Sequence, residues 1–165
     1  MHESAAGTDD GAVDALLVAS RALVAVAARS LADAGDITLP QYRALIVLAG
    51  RPGLAVADLA AALDVHSSTA TRLCDRLVRK KLVRRTPSAD DRRSTRLYLA
   101  AEGRRIVEQV TDRRRRDLAA IVDRLPAGTT AQVVDVLAAF AAAAGELQAG
   151  DLFGWEYEGR GTGPV

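Results

Sequence analysis

The sequence predicts a mainly α-helical fold carrying one small β-hairpin. Three observations predict it. Apolar residues make up 49% of the 165-residue chain and aromatic residues only 4%, with Ala, Leu and Val supplying the bulk, which favours close-packed helices over a large β-sandwich. Apolar positions recur at helical spacing through most of the chain. Only around residues 82–99 does the period change to the alternation of strands. At this length one domain, with or without an element for self-association, has ample material for a core.

Composition excludes several classes. Cys74 is the only cysteine, so no intramolecular disulfide can form. Residues 1–11 (MHESAAGTDDG), read as a disordered tail, are acidic and lack the basic start and apolar run of a signal peptide. No run of 18 uninterrupted apolar residues occurs, so no membrane span is expected and the chain reads as cytoplasmic. The net charge of +1 hides an asymmetry. Arg72 to Arg116 hold 16 Lys/Arg against 6 Asp/Glu, a balance of +10, while the remainder holds 6 against 15, a balance of −9. A positive block on a nearly neutral chain is the footprint of a polyanion-binding face.

In chain order, Val13 to Ala34 is a long helix with Leu16, Leu17, Leu23, Val24, Ala27 and Leu31 at helical spacing, stopped at Gly35. Thr38 is the N-cap of a second helix, Gln41 to Ala49, with Pro40 in its first turn. It is expected to bury Tyr42, Leu45, Ile46 and Leu48. Arg51-Pro52-Gly53 breaks it. A third helix, Val56 to Leu63, turns through Asp64-Val65-His66 into a fourth, Ser67 to Lys80. There Ala70, Leu73, Cys74, Leu77 and Val78 form one apolar stripe, and Ser68, Thr69, Arg72, Arg76 and Arg79 occupy the other face. Two short helices joined by such a turn, the second basic and fronted by hydroxyls, describe a helix-turn-helix. Ser and Thr can touch base edges, and Arg forks onto phosphate or guanine. Leu82–Thr86 and Arg96–Leu99 then read as two strands around a polar turn, Pro87 to Ser94, a hairpin of the kind called a wing. A long helix from Glu102 to about Leu125 ends at Pro126 and Gly128. A last helix runs from Thr129 or Thr130 to about Gln148, striped by Val133, Val136, Leu137, Phe140 and Ala144. The first and last two helices carry more apolar surface than the small winged unit can cover, which predicts a twofold dimer.

These residues resemble the MarR family of bacterial winged-helix regulators over about residues 12–148. The stretches that carry the resemblance are LPQYRALIVLA, VADLAAALDVHSSTATRLCDRLVRKKLVRR and DDRRSTRLYLAAEGRR. The most specific piece is the wing, where Asp91 and Arg93 are followed by Leu97, Leu99 and Gly103. The resemblance implies a DNA-binding unit over 36–100, dimerisation helices over 12–35 and 101–148, and a C-terminal tail over 149–165. It places Ser67, Ser68, Thr69, Thr71, Arg72 and Arg76 at the major groove, and Asp91, Arg92 and Arg93 in the wing. Arg93 would enter the minor groove with Asp91 orienting its guanidinium. A small phenolic or otherwise anionic effector would bind between the dimer helices and the winged unit, near Arg21, Tyr42 and Arg43. The function implied is a ligand-responsive repressor, acting as a homodimer on a palindromic site in double-stranded DNA. Where the family favours a small residue, usually Gly, this chain has Asp64 and Lys81, and Ala100 replaces a capping Thr.

Two other readings stand beside this one. Cys74 on the DNA-reading helix could sense oxidants, although its place in the apolar stripe fits an inert buried thiol better. With only His2 and His66 present, no catalytic, phosphate-loop or metal-spaced cluster can be assembled, so neither enzyme activity nor a cofactor or metal is expected. The tail gathers Phe153, Trp155 and Tyr157, half of all aromatic residues, among Gly and acids. They are either exposed rings on a disordered end or groups that dock into the dimer interface or cap a pocket.

Overall fold

The computed structural model describes residues 10–87 and 95–146. Six helices and one hairpin follow in the order α1 (Asp10–Ala32), α2 (Leu39–Gly50), α3 (Val56–Leu63), α4 (Ser67–Arg79), β1 (Val83–Pro87), β2 (Thr95–Leu99), α5 (Ala101–Val122) and α6 (Thr130–Ala143). The mainly helical fold with a single hairpin is the one the sequence predicts. Asp91, Arg92 and Arg93, the expected wing contacts, and Phe153, Trp155 and Tyr157 lie outside the described residues.

Local chemistry explains most boundaries. Thr38 caps α2 as expected, its hydroxyl accepting from Gln41 N (3.4 Å) while the Gln41 side chain accepts from Thr38 N (3.2 Å), a reciprocal capping box. Asp64 and Lys81 adopt the left-handed region (φ 53° and 57°) where the chain departs from the small residues typical of the family. Ala100 leaves the start of α5 without a side-chain cap. Three boundaries differ from expectation by three residues or more. Asp10 and Gly11, the first described residues and read as tail, are already helical in α1. α5 stops at Val122, three residues before the expected end, in the turn that precedes Pro126. α6 stops at Ala143 and not near Gln148, because Gly145 turns left-handed (φ 70°).

The core lies where the winged unit meets α5. Leu45 and Leu48 of α2, Leu59 of α3, Cys74 and Leu77 of α4, Leu97 of β2 and Val107 and Val110 of α5 are almost wholly buried. On α2 Tyr42, Leu45 and Leu48 are buried as expected, whereas Ile46 is only partly so and Val47 is buried as well. β1 pairs antiparallel with β2 from Val83↔Leu99 to Pro87↔Thr95. An extra bridge, Leu54↔Leu97, adds the α2–α3 loop to the hairpin, with Gly53 N donating to Leu97 O (2.9 Å) and Leu97 N to Leu54 O (2.8 Å). At the C-terminal end of α1, Arg113 of α5 reaches Asp33 (2.9 Å) and Gln109 donates to the Asp33 carbonyl (3.0 Å).

Beyond that anchor α1 and α6 bury little among the described residues. α1 buries only Val26, Ser30 and Leu31, and Leu17, Val18, Leu23 and Val24 are exposed. No residue of α6 is buried, and Val134, Val136, Leu137 and Phe140 face outward. The apolar stripe predicted for α6 therefore has no partner within the described residues of the protomer. α1 is also long and apolar enough to cross a bilayer by length and composition, with a mean hydropathy of 1.8 over its most apolar window. Counting uninterrupted runs missed this, because isolated polar residues such as Arg21 break a run without lowering the average much.

Candidate nucleic-acid interface and adjoining cavity

α4 owes its orientation to its apolar side. Ala70, Cys74 and Leu77 have no solvent exposure at all, and Leu73 and Val78 pack partly against the same core. The opposite side is therefore fixed outward. Ser67, Ser68, Thr69, Thr71, Arg72 and Arg76, the six predicted major-groove residues, are all exposed on it. Thr71 Oγ1 donates back to the Ser67 carbonyl (2.9 Å), which leaves the hydroxyl oxygen as an outward acceptor. His66 is the N-cap by backbone conformation and makes no side-chain cap.

Polar ties hold this helix to its neighbours. Asp75 on α4 pairs with Arg85 on β1 at 2.8 Å, linking α4 to the hairpin. Lys80, just past α4, reaches the Asp36 backbone carbonyl and carboxylate and the Gln41 side chain (3.3 Å), so it touches the capping box of α2. Arg84 stacks over the Tyr98 ring, 4.7 Å from its centroid, across the hairpin. The surface pairs add little stability individually. Together they join α4 to β1 through Asp75–Arg85 and its C-terminal end to the start of α2 through Lys80. Nothing in the sequence pattern announced Lys80, Asp75 or Arg85 as positioning residues, since each contact joins separate elements.

Cys74 lies on the inner side of α4. Burial pushes its thiol above the ordinary range, against the opposing influence of the Arg85 guanidinium. A raised pKa lowers the thiolate fraction on which oxidation depends.

A cavity of about 990 Å³ opens beside the winged unit, between α2 and α5. Tyr42 and Arg43, two of the three predicted pocket residues, line it, and Arg21 does not: it is exposed on α1, which contributes Ala27. The Tyr42 hydroxyl lies 3.3 Å from Thr111 Oγ1, and the Arg114 guanidinium sits 5.5 Å from the Tyr42 ring centroid. Burial raises the Tyr42 pKa, against the Thr111 hydrogen bond and the Arg114 charge, which both lower it. Thr111, Arg114, Arg51 and Arg115 were missed by sequence reasoning, and no signal could have found them, because the packing of α5 on α2 is not written in either helix.

Likeness to solved structures extends over most of the chain. One of them, RV1404 from Mycobacterium tuberculosis, is 39% identical with a TM-score of 0.79, over 90% of this chain and 99% of that one. The profile of the MarR family matches residues 36–94, from the α1–α2 turn to the wing. This chain belongs to the MarR family. Among curated proteins it is similar to the uncharacterized HTH-type transcriptional regulator YsmB of Bacillus subtilis (strain 168), 31% identical over 93 residues, 56% of this chain and 64% of that protein. The matches to the first three curated relatives span 39–64% of their lengths. A mutant of S. aureus MepR bound to an oligodeoxyribonucleotide is 26% identical with a TM-score of 0.60, over 79% of this chain and 96% of that one. Family membership assigns α3 and α4 as the helix-turn-helix and β1–β2 as the wing.

Proposed function

We propose that this chain is a cytoplasmic, DNA-binding transcriptional repressor that acts as a homodimer and responds to a small ligand. The observation that carries the reading is α4, whose Ala70, Cys74 and Leu77 are wholly buried while its hydroxyls and arginines face solvent. That is the division a helix needs to enter a major groove from a rigid platform. The MepR–oligodeoxyribonucleotide structure supports the same use of the fold. In the wing, Arg93 would enter the minor groove with Asp91 holding its fork and Arg92 beside it, which lowers the entropy lost on binding.

The bare apolar faces of α1 and α6 support a dimer, since contiguous exposed patches of this kind mark interaction surfaces. A bilayer is a poorer partner for α1. Asp14 and Arg21 lie seven residues apart on one stripe, and each charge near a bilayer centre costs about 2.5–3.5 kcal/mol. Two α4 helices related by a dyad favour an imperfect palindrome of roughly 16–20 base pairs. The cavity between α2 and α5 would take a phenolic or anionic effector. Such a ligand would shift the population between dimers whose α4 helices match successive grooves and dimers that are splayed.

The test is fluorescence anisotropy on tiled DNA from the gene's own upstream region, at two salt concentrations, with Arg93→Ala beside the native chain. A tight site with a steep salt slope, weakened by Arg93→Ala, is expected. Weak binding that is uniform over all tiles would overturn the reading.

A further inference from the structure

We propose that the cavity beside Tyr42 is the docking site of the chain's own C-terminal segment, residues 151–158. The rings of Phe153, Trp155 and Tyr157 would fill its apolar part, and the acids among them would meet its arginines. Position is the first argument. Ala144, Gly145 and Glu146, the last described residues, form part of the cavity wall. The segment follows closely in sequence. Five to eleven residues separate Glu146 from Asp151 and Tyr157, and at about 3.3 Å per residue they reach roughly 16–36 Å. That spans a cavity of this volume.

Charge and size agree with position. Four arginines line the cavity against three acids, while residues 151–158 carry Asp151, Glu156 and Glu158 and no basic residue. Arg114 Nε is buried and finds no hydrogen-bond partner among the described residues, a donor that a carboxylate or backbone carbonyl of the segment would satisfy. At about 990 Å³ the cavity is at the upper end of the roughly 300–1,000 Å³ typical of ligand pockets, more than a single-ring ligand requires. Three aromatic side chains bury about 150–250 Å² each, and their spacing of two residues lets an extended chain turn all three to one side. A small effector would then enter by displacing the segment.

Trp155 is the chain's only tryptophan, so its fluorescence reports on this segment alone. The readout needs no DNA, and its failure would leave the regulator reading untouched. In the full chain, Trp155 emission is expected at shorter wavelength, with a several-fold lower acrylamide quenching constant, than in the same chain unfolded in urea. Val122→Glu and Arg114→Gln, both in the lining, should each move emission and quenching towards the unfolded values while far-ultraviolet circular dichroism is retained. Val122 is already 38% exposed, which keeps at least one variant folded. Solvent-like Trp155 in the native chain overturns the proposal. So does a protected Trp155 that ignores both lining variants but is released by Leu137→Glu, which would assign the rings to the face of α6.

Discussion

Replacing Gly103 by alanine should be among the most damaging single-methyl changes in this chain. Gly103 is in the first turn of α5 and buried. A Cβ built there falls 2.1 Å from the Leu82 carbonyl oxygen and 3.0 Å from its carbon, whereas ordinary contact begins near 3.4 Å. The obstacle is backbone, so no rotamer change relieves it. α5 and the α4–β1 corner would have to part by about 1.3 Å, which loosens the dispersion contacts around them. The same carbonyl accepts from Ala100 N at 2.9 Å, the bond that fixes the end of β2 against the start of β1. Overpacking at the severe end costs about 3 kcal/mol and the strained hydrogen bond about 1, while alanine's better helix propensity returns about 1. A net loss of about 3 kcal/mol is expected for Gly103→Ala. Urea unfolding followed by circular dichroism measures it, as a lower midpoint at unchanged slope. A variant within about 0.5 kcal/mol of the native chain would refute the close approach of α5 to the wing.

Three further outcomes are expected. Arg72→Ala and Arg76→Ala should each weaken operator binding, by about 1–3 kcal/mol where the guanidinium reads a guanine, or with a salt slope reduced by about one where it meets phosphate; unchanged affinity for both would remove α4 from the interface. Tyr42, whose folded pKa is raised, gives a contribution that is complete below its unfolded value of about 10 and is lost as pH rises through the folded one. Tyr42→Phe should therefore flatten the alkaline limb of the stability–pH curve, and identical limbs would contradict the buried, neutral phenol. Peroxide should leave DNA binding of the native chain intact, because the Cys74 thiol is buried and pushed up in pKa; a loss of binding that Cys74→Ala prevents would instead make the thiol a sensor.

Much of the fold was legible in the sequence, and for local reasons. Thr38 and Gln41 stand three apart at the start of α2 and meet as a capping box. The stripe of Ala70, Cys74 and Leu77 and the opposite row from Ser67 to Arg76 lie on one helix, so 3.6 residues per turn fixed which of them face solvent. The motif residue Gly103 could be recognised but not explained until Leu82 was found against it.

The sequence by itself therefore determined the helices, the turn between α3 and α4, the hairpin and the outward face of α4. Tertiary structure decided what covers what. It set Thr111 and Arg114 against Tyr42, tied Lys80 to the cap of α2, added Leu54 to the hairpin, and left α6 with no buried residue among those described. A periodic pattern records that a face is apolar and where it points on its own helix, which depends on neighbours three and four residues away. It carries nothing about the element that arrives from 40 or 70 residues along the chain, because that choice is made by the packing of whole surfaces.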